Sequence, residues 1–155
     1  MLININTLKA IYNLNVKNIA HVGVNNGTEV ELYKNTFQNS KIFLIEPQKK
    51  LYTKLISKFS MDKNVQIINT ALGNSVGVKN LNLSETHNGS ASLLTPTLHK
   101  DFHPEVSFKG SEKVRIDKFD NLNLNNVNFL NIDVQGYELK VLEGASTSLK
   151  NIDYI

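Results

Sequence analysis

Apolar residues in this chain fall into short unbroken runs separated by longer stretches in which they recur at helical spacing. Short runs bounded by turn residues read as buried strands, and the longer periodic stretches read as helices with one apolar face. On that basis a leading helix spans Thr7 to Leu14, a first strand Ile19 to Val24, and a helix capped by Thr28 runs to about Phe37 with Val30, Leu32 and Tyr33 available for packing. A second strand follows over Ile42 to Ile45. The helix from Lys49 to Phe59 then carries Leu51, Leu55, Ile56 and Phe59 as its apolar stripe, and Val65 to Asn69 forms a third strand. Strands alternating with helices in this way predict βαβ units around a mainly parallel sheet.

Beyond Asn69 the rhythm changes. Val76 to Leu83 and Lys113 to Phe119 are rich in β-branched and alternating residues, which predicts an inserted antiparallel pair on the sheet. Between them lies a polar segment, Ser84 to Ser111, longer than the connections usual in compact domains. Such segments act as lids or remain disordered, and this one reads as a substrate-side lid. The parallel pattern resumes with a strand over Asn128 to Ile132, ending at Asp133. A helix from Tyr137 to Leu149 follows, with Leu139, Leu142 and Leu149 turned to the sheet, and Asp153 to Ile155 opens a further strand.

Chemistry concentrates where these strands end. Gly23 and Gly27 allow a sharp bend after the first strand, and they bring bare backbone within reach of a ligand. A dinucleotide-binding G-x-G-x-x-G would place small residues at 23, 25 and 28, where the chain has Gly, Asn and Thr. The spacing fits the looser G-x-N-x-G loop that holds S-adenosylmethionine, with Gly23, Asn25 and Gly27 near the amino-acid end of that cofactor. Glu46 ends the second strand about 20 residues further on, where an acidic residue can accept both ribose hydroxyls. Asp133 leaves the later strand at the carboxyl edge, where ligands bind in open α/β sheets. A carboxylate there can meet the cofactor's ammonium or take a proton from a methyl acceptor. Glu138, just beyond it, suits the loop or the helix start.

The chain resembles the FkbM-type S-adenosylmethionine-dependent methyltransferases. The resemblance rests on HVGVNNGTEVELY at 21–33, IEP at 45–47, NTALGNSVG at 69–77 and NFLNIDVQGYELKVLEGA at 128–145, the last being the most specific string. It implies a Rossmann-like class I methyltransferase sheet, mainly parallel, with adenine read by Asn69, Thr70 and Ala71. It also implies methyl transfer to a hydroxyl on a sugar or a related small molecule. One position departs from the common pattern: His21 stands where methyltransferases often carry an acidic residue. The family's sheet continues beyond a fifth strand to a closing antiparallel pair. The sequence therefore reads as a single domain, 1–155, shortened at its C-terminus, with an edge through which two copies can pair.

Of the four histidines, His87, His99 and His103 fall in the polar segment. His99 and His103 are candidates for the general base or a substrate contact, beside the plainer reading of solvated loop residues. No motif supplies further ligands to make a metal site of them. The stretch Thr97 to Val106 that contains them also resembles a subset of the family.

Composition narrows the field without choosing within it. With 155 residues the chain is long enough for one domain with its own core. It has no cysteine, so disulfides, thiolate metal sites and a Cys nucleophile are excluded. The formal charge of +3 comes from lysines scattered among asparagines and acids, which argues for a solvated surface and against a nucleic-acid partner. No apolar run approaches the roughly 18 residues of a membrane span, so the expectation is a cytoplasmic protein with a small-molecule partner. Two rivals remain at this point: a non-catalytic S-adenosylmethionine-binding partner domain, and a nicotinamide-dependent oxidoreductase disfavoured by the loop spacing.

Overall fold

The computed structural model describes residues 4–84, 91–94 and 108–155. The elements are α1 (Ile5–Tyr12), β1 (Asn18–Val22), α2 (Val30–Thr36), β2 (Lys41–Ile45), α3 (Lys49–Phe59), β3 (Val65–Ile68), β4 (Ala71–Leu72), β5 (Gly77–Ser84), β6 (Phe108–Asp117), β7 (Val127–Ile132) and α4 (Glu138–Glu143). Four strands form a parallel sheet in the order β3-β2-β1-β7, and β4, β6 and β5 form a second, mixed sheet. β5 and β6 pair antiparallel, as the alternating residues predict, but with β4 in this second sheet and not as an extension of the parallel one. Tyr154 bridges Phe129 in parallel on the far side of β7. The fold is Rossmann-like.

Each central strand is buried on both faces, so its alternate residues feed two cores. Ile19, Ile42, Leu44 and Phe129 pack with Ile5, Val30, Tyr33, Leu55 and Phe59 from the three leading helices. Ala20, Val22, Phe43, Ile45 and Leu130 pack on the other side with Val141 and Ala145. Burying each large aliphatic side chain completely is worth about 1.5–3 kcal/mol. A third cluster, Ala71, Leu81, Val114, Ile116 and Tyr137, joins the mixed sheet to the start of α4.

Several boundaries differ from the sequence-based expectation, each for a local reason. α1 stops at Tyr12 because Asn13 turns left-handed at φ 49°. Thr28 does not cap α2, which starts from Glu29 without a side-chain cap; the Thr28 hydroxyl donates to the Glu29 carboxylate instead. Ile56 is 41 % exposed, so the buried stripe of α3 is Leu51, Leu55 and Phe59. The last helix is much shorter than Tyr137 to Leu149. It ends at Gly144, where a Cβ would lie 1.9 Å from the Gly73 carbonyl oxygen. Asp120 then accepts the Thr147 and Ser148 N–H groups, drawing the chain into a 3-10 turn over Ser148–Asn151. Leu139 is 65 % exposed and does not face the sheet, whereas Leu142 and Leu149 pack partly against the core and Val141 fills the buried position. β6 ends at Asp117, and Phe119 opens a 3-10 turn rather than closing the strand.

This topology fixes where a ligand can sit. From β1 the chain proceeds outward through β2 to β3, then crosses back so that β7 lies on the opposite side of β1. The carboxyl ends of β1 and β7 therefore flank the point at which the winding reverses, the usual crevice of open α/β sheets.

Candidate functional site

A cleft of about 540 Å³ opens at that reversal, between the ends of β1, β2 and β7 and the wall made by the mixed sheet and residues 91–94. It is an open crevice at the switch point, the place where open α/β sheets take small molecules. One end is polar, with Asn25, Glu46, Gln48, Thr70 and Asp133. The opposite wall is apolar, with Leu72, Leu81, Ala91, Leu93, Val134 and Tyr137.

The loop after β1 builds the polar end. Gly23 turns at φ 83°, its N–H bonded to the Ile45 carbonyl, and a Cβ there would lie 2.0 Å from the Asp133 carbonyl oxygen. Glycine is required at 23 by the close approach of the loop after β1 to the end of its neighbour β7, a packing demand added to any contact its backbone offers the cleft. Asn25, also left-handed at φ 55°, donates its backbone N–H to Glu46 Oε2 at 2.9 Å. The Gln48 N–H bonds Oε1 at the same distance, so both carboxylate oxygens are fixed by backbone donors. Glu46 is only 3 % exposed. Burial pushes its carboxyl above the ordinary glutamate range, opposed by those two N–H groups. Beside it, Asn25 Oδ1 is buried with no hydrogen-bond partner among the described residues.

Two residues expected at the ligand do not line the cleft. Gly27, at φ 63°, faces α3, where a Cβ would approach Leu55 Cδ2 to 2.9 Å, and it does not line the cleft. The Asn69 amide donates to the Glu46 and Pro47 carbonyls at 2.8 and 2.9 Å, so its side chain braces the strand end that carries Glu46. Thr70 and Ala71 do line the cleft, but the Thr70 hydroxyl is directed to the Ala71 and Arg115 carbonyls.

Asp133 reaches the cleft from β7 and is exposed. Its backbone N–H bonds the Val22 carbonyl, which sets it directly beside Gly23. The turn that follows is closely held. Glu138 Oε1 accepts the Val134 and Gly136 N–H groups, the loop-supporting position expected of it. Gln135 donates its side-chain amide to Asp133 Oδ1 at 2.6 Å.

His21 lies off the cleft. Its side chain points to the opposite face of β1, 3 % exposed, with Nδ1 3.4 Å from the Tyr33 hydroxyl. Asn131 donates to that hydroxyl at 2.6 Å, leaving the phenol's own proton for His21. Burial holds the imidazole below its ordinary pKa and pushes the Tyr33 phenol up. The departure from an acidic residue at 21 thus builds a neutral buried network outside the cleft.

Sequence reasoning missed Gln48 and the whole apolar wall. Tyr137 stood inside the most specific string without a role; here its ring lines the cleft and its hydroxyl accepts from Lys79 Nζ at 2.7 Å. Leu81 carried a signal in the alternation of β5, but only the packing of the second sheet against α4 shows which face meets the cleft. His87, His99 and His103 lie outside the described residues, as does most of the expected lid. Among the described residues no cluster of three or more His, Asp or Glu could hold a metal ion, and no helix is long and apolar enough to cross a membrane.

Residues 12–155 match the family model described as the methyltransferase FkbM domain. No curated protein and no solved structure matches the chain significantly.

Proposed function

The chain belongs to the FkbM methyltransferase family, and from that membership and the chemistry of the cleft we propose that it is an S-adenosylmethionine-dependent O-methyltransferase. The acceptor is a hydroxyl on a sugar or a related small molecule, an assignment that follows the family resemblance. The observation that carries the cofactor reading is the pairing of Glu46 with Asn25. A carboxylate only 3 % exposed and already fixed by two backbone donors still has lone pairs to accept two hydroxyl protons, as a ribose diol would offer. The unpartnered Asn25 Oδ1 beside it calls for a donor from a ligand, since a buried acceptor left unpaired costs about 1–3 kcal/mol. The wall of Leu72, Leu81 and Leu93 suits a flat heterocycle.

When bound, S-adenosylmethionine would supply an electrophilic methyl group, which passes to an acceptor oxygen in line as its bond to the sulfonium sulfur breaks and S-adenosylhomocysteine leaves. The residues of this chain contribute position: Glu46 holds the ribose, Asn25 lies beside it on the loop that receives the amino-acid end, and Asp133, next to Gly23, is placed for the cofactor's ammonium or the acceptor's proton. Titration calorimetry with S-adenosylmethionine, S-adenosylhomocysteine and NAD tests this reading. Binding of the first two without the third is expected. Binding of NAD alone, or of none, would defeat it.

A further inference from the structure

The turn after β7 contains a conformation that its sequence could have avoided. Gln135 adopts φ 55° and Gly136 φ 96°, two left-handed residues in succession. Glycine takes such angles freely, whereas a residue with a Cβ does so at a cost, and strained non-glycine residues concentrate where their side chain has work to do. The Gln135 amide donates to Asp133 Oδ1 at 2.6 Å. Its carbonyl is held in turn by the hydroxyl of Ser92, which is 7 % exposed and donates to it at 2.8 Å. Ser92 is itself fixed. Its backbone pairs with Asn82 on β5, and its hydroxyl accepts the Leu94 N–H at 3.1 Å. A connected series of bonds therefore runs from the mixed sheet through Ser92 and Gln135 to the one exposed carboxylate at the polar end of the cleft.

We propose that Ser92 and Gln135 are positioning residues that set the Asp133 carboxylate toward the ammonium group of the bound cofactor. Gln135 occupies Oδ1 and stops the carboxylate from rotating, leaving Oδ2, which has no hydrogen-bond partner among the described residues, for the ligand. Ser92 keeps Gln135 in the left-handed conformation that aims its amide. The ammonium is the group concerned because Asp133 stands directly beside Gly23, at the loop expected to receive the amino-acid end. The inference rests on the reading that the cleft holds S-adenosylmethionine.

The test compares two ligands that differ only at that end, S-adenosylhomocysteine and 5′-methylthioadenosine, the second lacking the amino acid. In the full chain, Gln135→Gly should weaken S-adenosylhomocysteine about tenfold, the scale of one charge-assisted contact, and change 5′-methylthioadenosine less than about twofold. Its melting temperature should hold or rise, since glycine relieves the turn. Ser92→Ala should weaken S-adenosylhomocysteine by a smaller factor, and the double variant should match Gln135→Gly alone because the two act in series. Equal loss for both ligands, unchanged affinity for S-adenosylhomocysteine, or additive losses in the double variant would overturn the proposal. Wild-type protein that binds neither ligand would instead defeat the cofactor reading itself and remove the premise.

Discussion

Glu46 and Asp133 line the same cleft and are held in opposite ways. Glu46 is buried, and the groups that fix it are the backbone N–H groups of Asn25 and Gln48, which follow from the shapes of two loops. Asp133 is exposed, and the group that fixes it is a side chain, Gln135, itself anchored by another side chain, Ser92. A carboxylate held by backbone is specified by the fold and resists substitution around it. One held by side chains can be re-aimed by a single change, so the two carboxylates of the polar end differ in how easily their chemistry can be altered.

The largest expected effect comes from removing the backbone-held group. Glu46→Ala leaves the Asn25 and Gln48 N–H groups without their acceptor and removes the proposed acceptor of the ribose hydroxyls. Cofactor affinity should fall by about 1.5–3 kcal/mol, the scale of hydrogen bonds to a charged group, and the melting temperature should fall with it. Calorimetry and thermal melting on the same samples check both. Affinity that survives the substitution would mean that Glu46 is a structural carboxylate only.

Asp133→Asn should separate the two properties. Asparagine keeps the size and the Oδ1 acceptor for Gln135, and the site is exposed, so the melting temperature should stay near that of the wild type. Removing the charge should cost about 1.5 kcal/mol in S-adenosylhomocysteine affinity, the scale of a hydrogen bond to a charged group and no less than the roughly tenfold loss expected when Gln135 no longer aims it. Methyl transfer should fall more steeply if the acceptor proton also passes to this carboxylate. A melting temperature that drops as far as in Glu46→Ala would erase the contrast between the two carboxylates.

The same contrast explains what was legible in the sequence. The strands β1, β2, β3 and β7 are near-continuous apolar runs, and α3 has a clean helical stripe, so period and run length sufficed for them. Glu46 and Asp133 were legible because each ends such a run. That Gly27 and Asn69 do not line the cleft was not legible, because a glycine or an amide beside a site looks the same in sequence whether it lines the cleft or braces a residue that does. The early end of α4 was hidden for a similar reason: it depends on Gly144 meeting Gly73 across the fold, a contact between residues far apart in the chain. The apolar wall was out of reach because it forms only when the antiparallel insertion folds back over the cleft.

The smallest effect is in pH, and its direction distinguishes the buried carboxylate from the rest of the molecule. Burial raises the Glu46 pKa above 4.5, with the two N–H donors acting in the opposite sense. A group whose folded pKa lies above its unfolded value contributes stability that is fully present below the unfolded pKa and is lost as pH rises through the folded one. Acidification from neutrality should therefore add to the stability of the ligand-free protein through Glu46. Ribose hydroxyls prefer the ionised carboxylate, so affinity for S-adenosylhomocysteine should weaken over the same range, at higher pH than an ordinary glutamate would allow. His21 acts in the other direction. Its pKa is lowered by burial, so its contribution is present above 6.5 and is lost as pH falls through the folded value. A bare melting curve mixes the two groups, and comparison with Glu46→Gln isolates the carboxylate. The wild type should gain stability relative to that variant between neutrality and 4.5, while only the wild type loses ligand affinity. Parallel pH profiles for wild type and variant would show that Glu46 does not titrate in this range, and that the ligand does not draw on its charge.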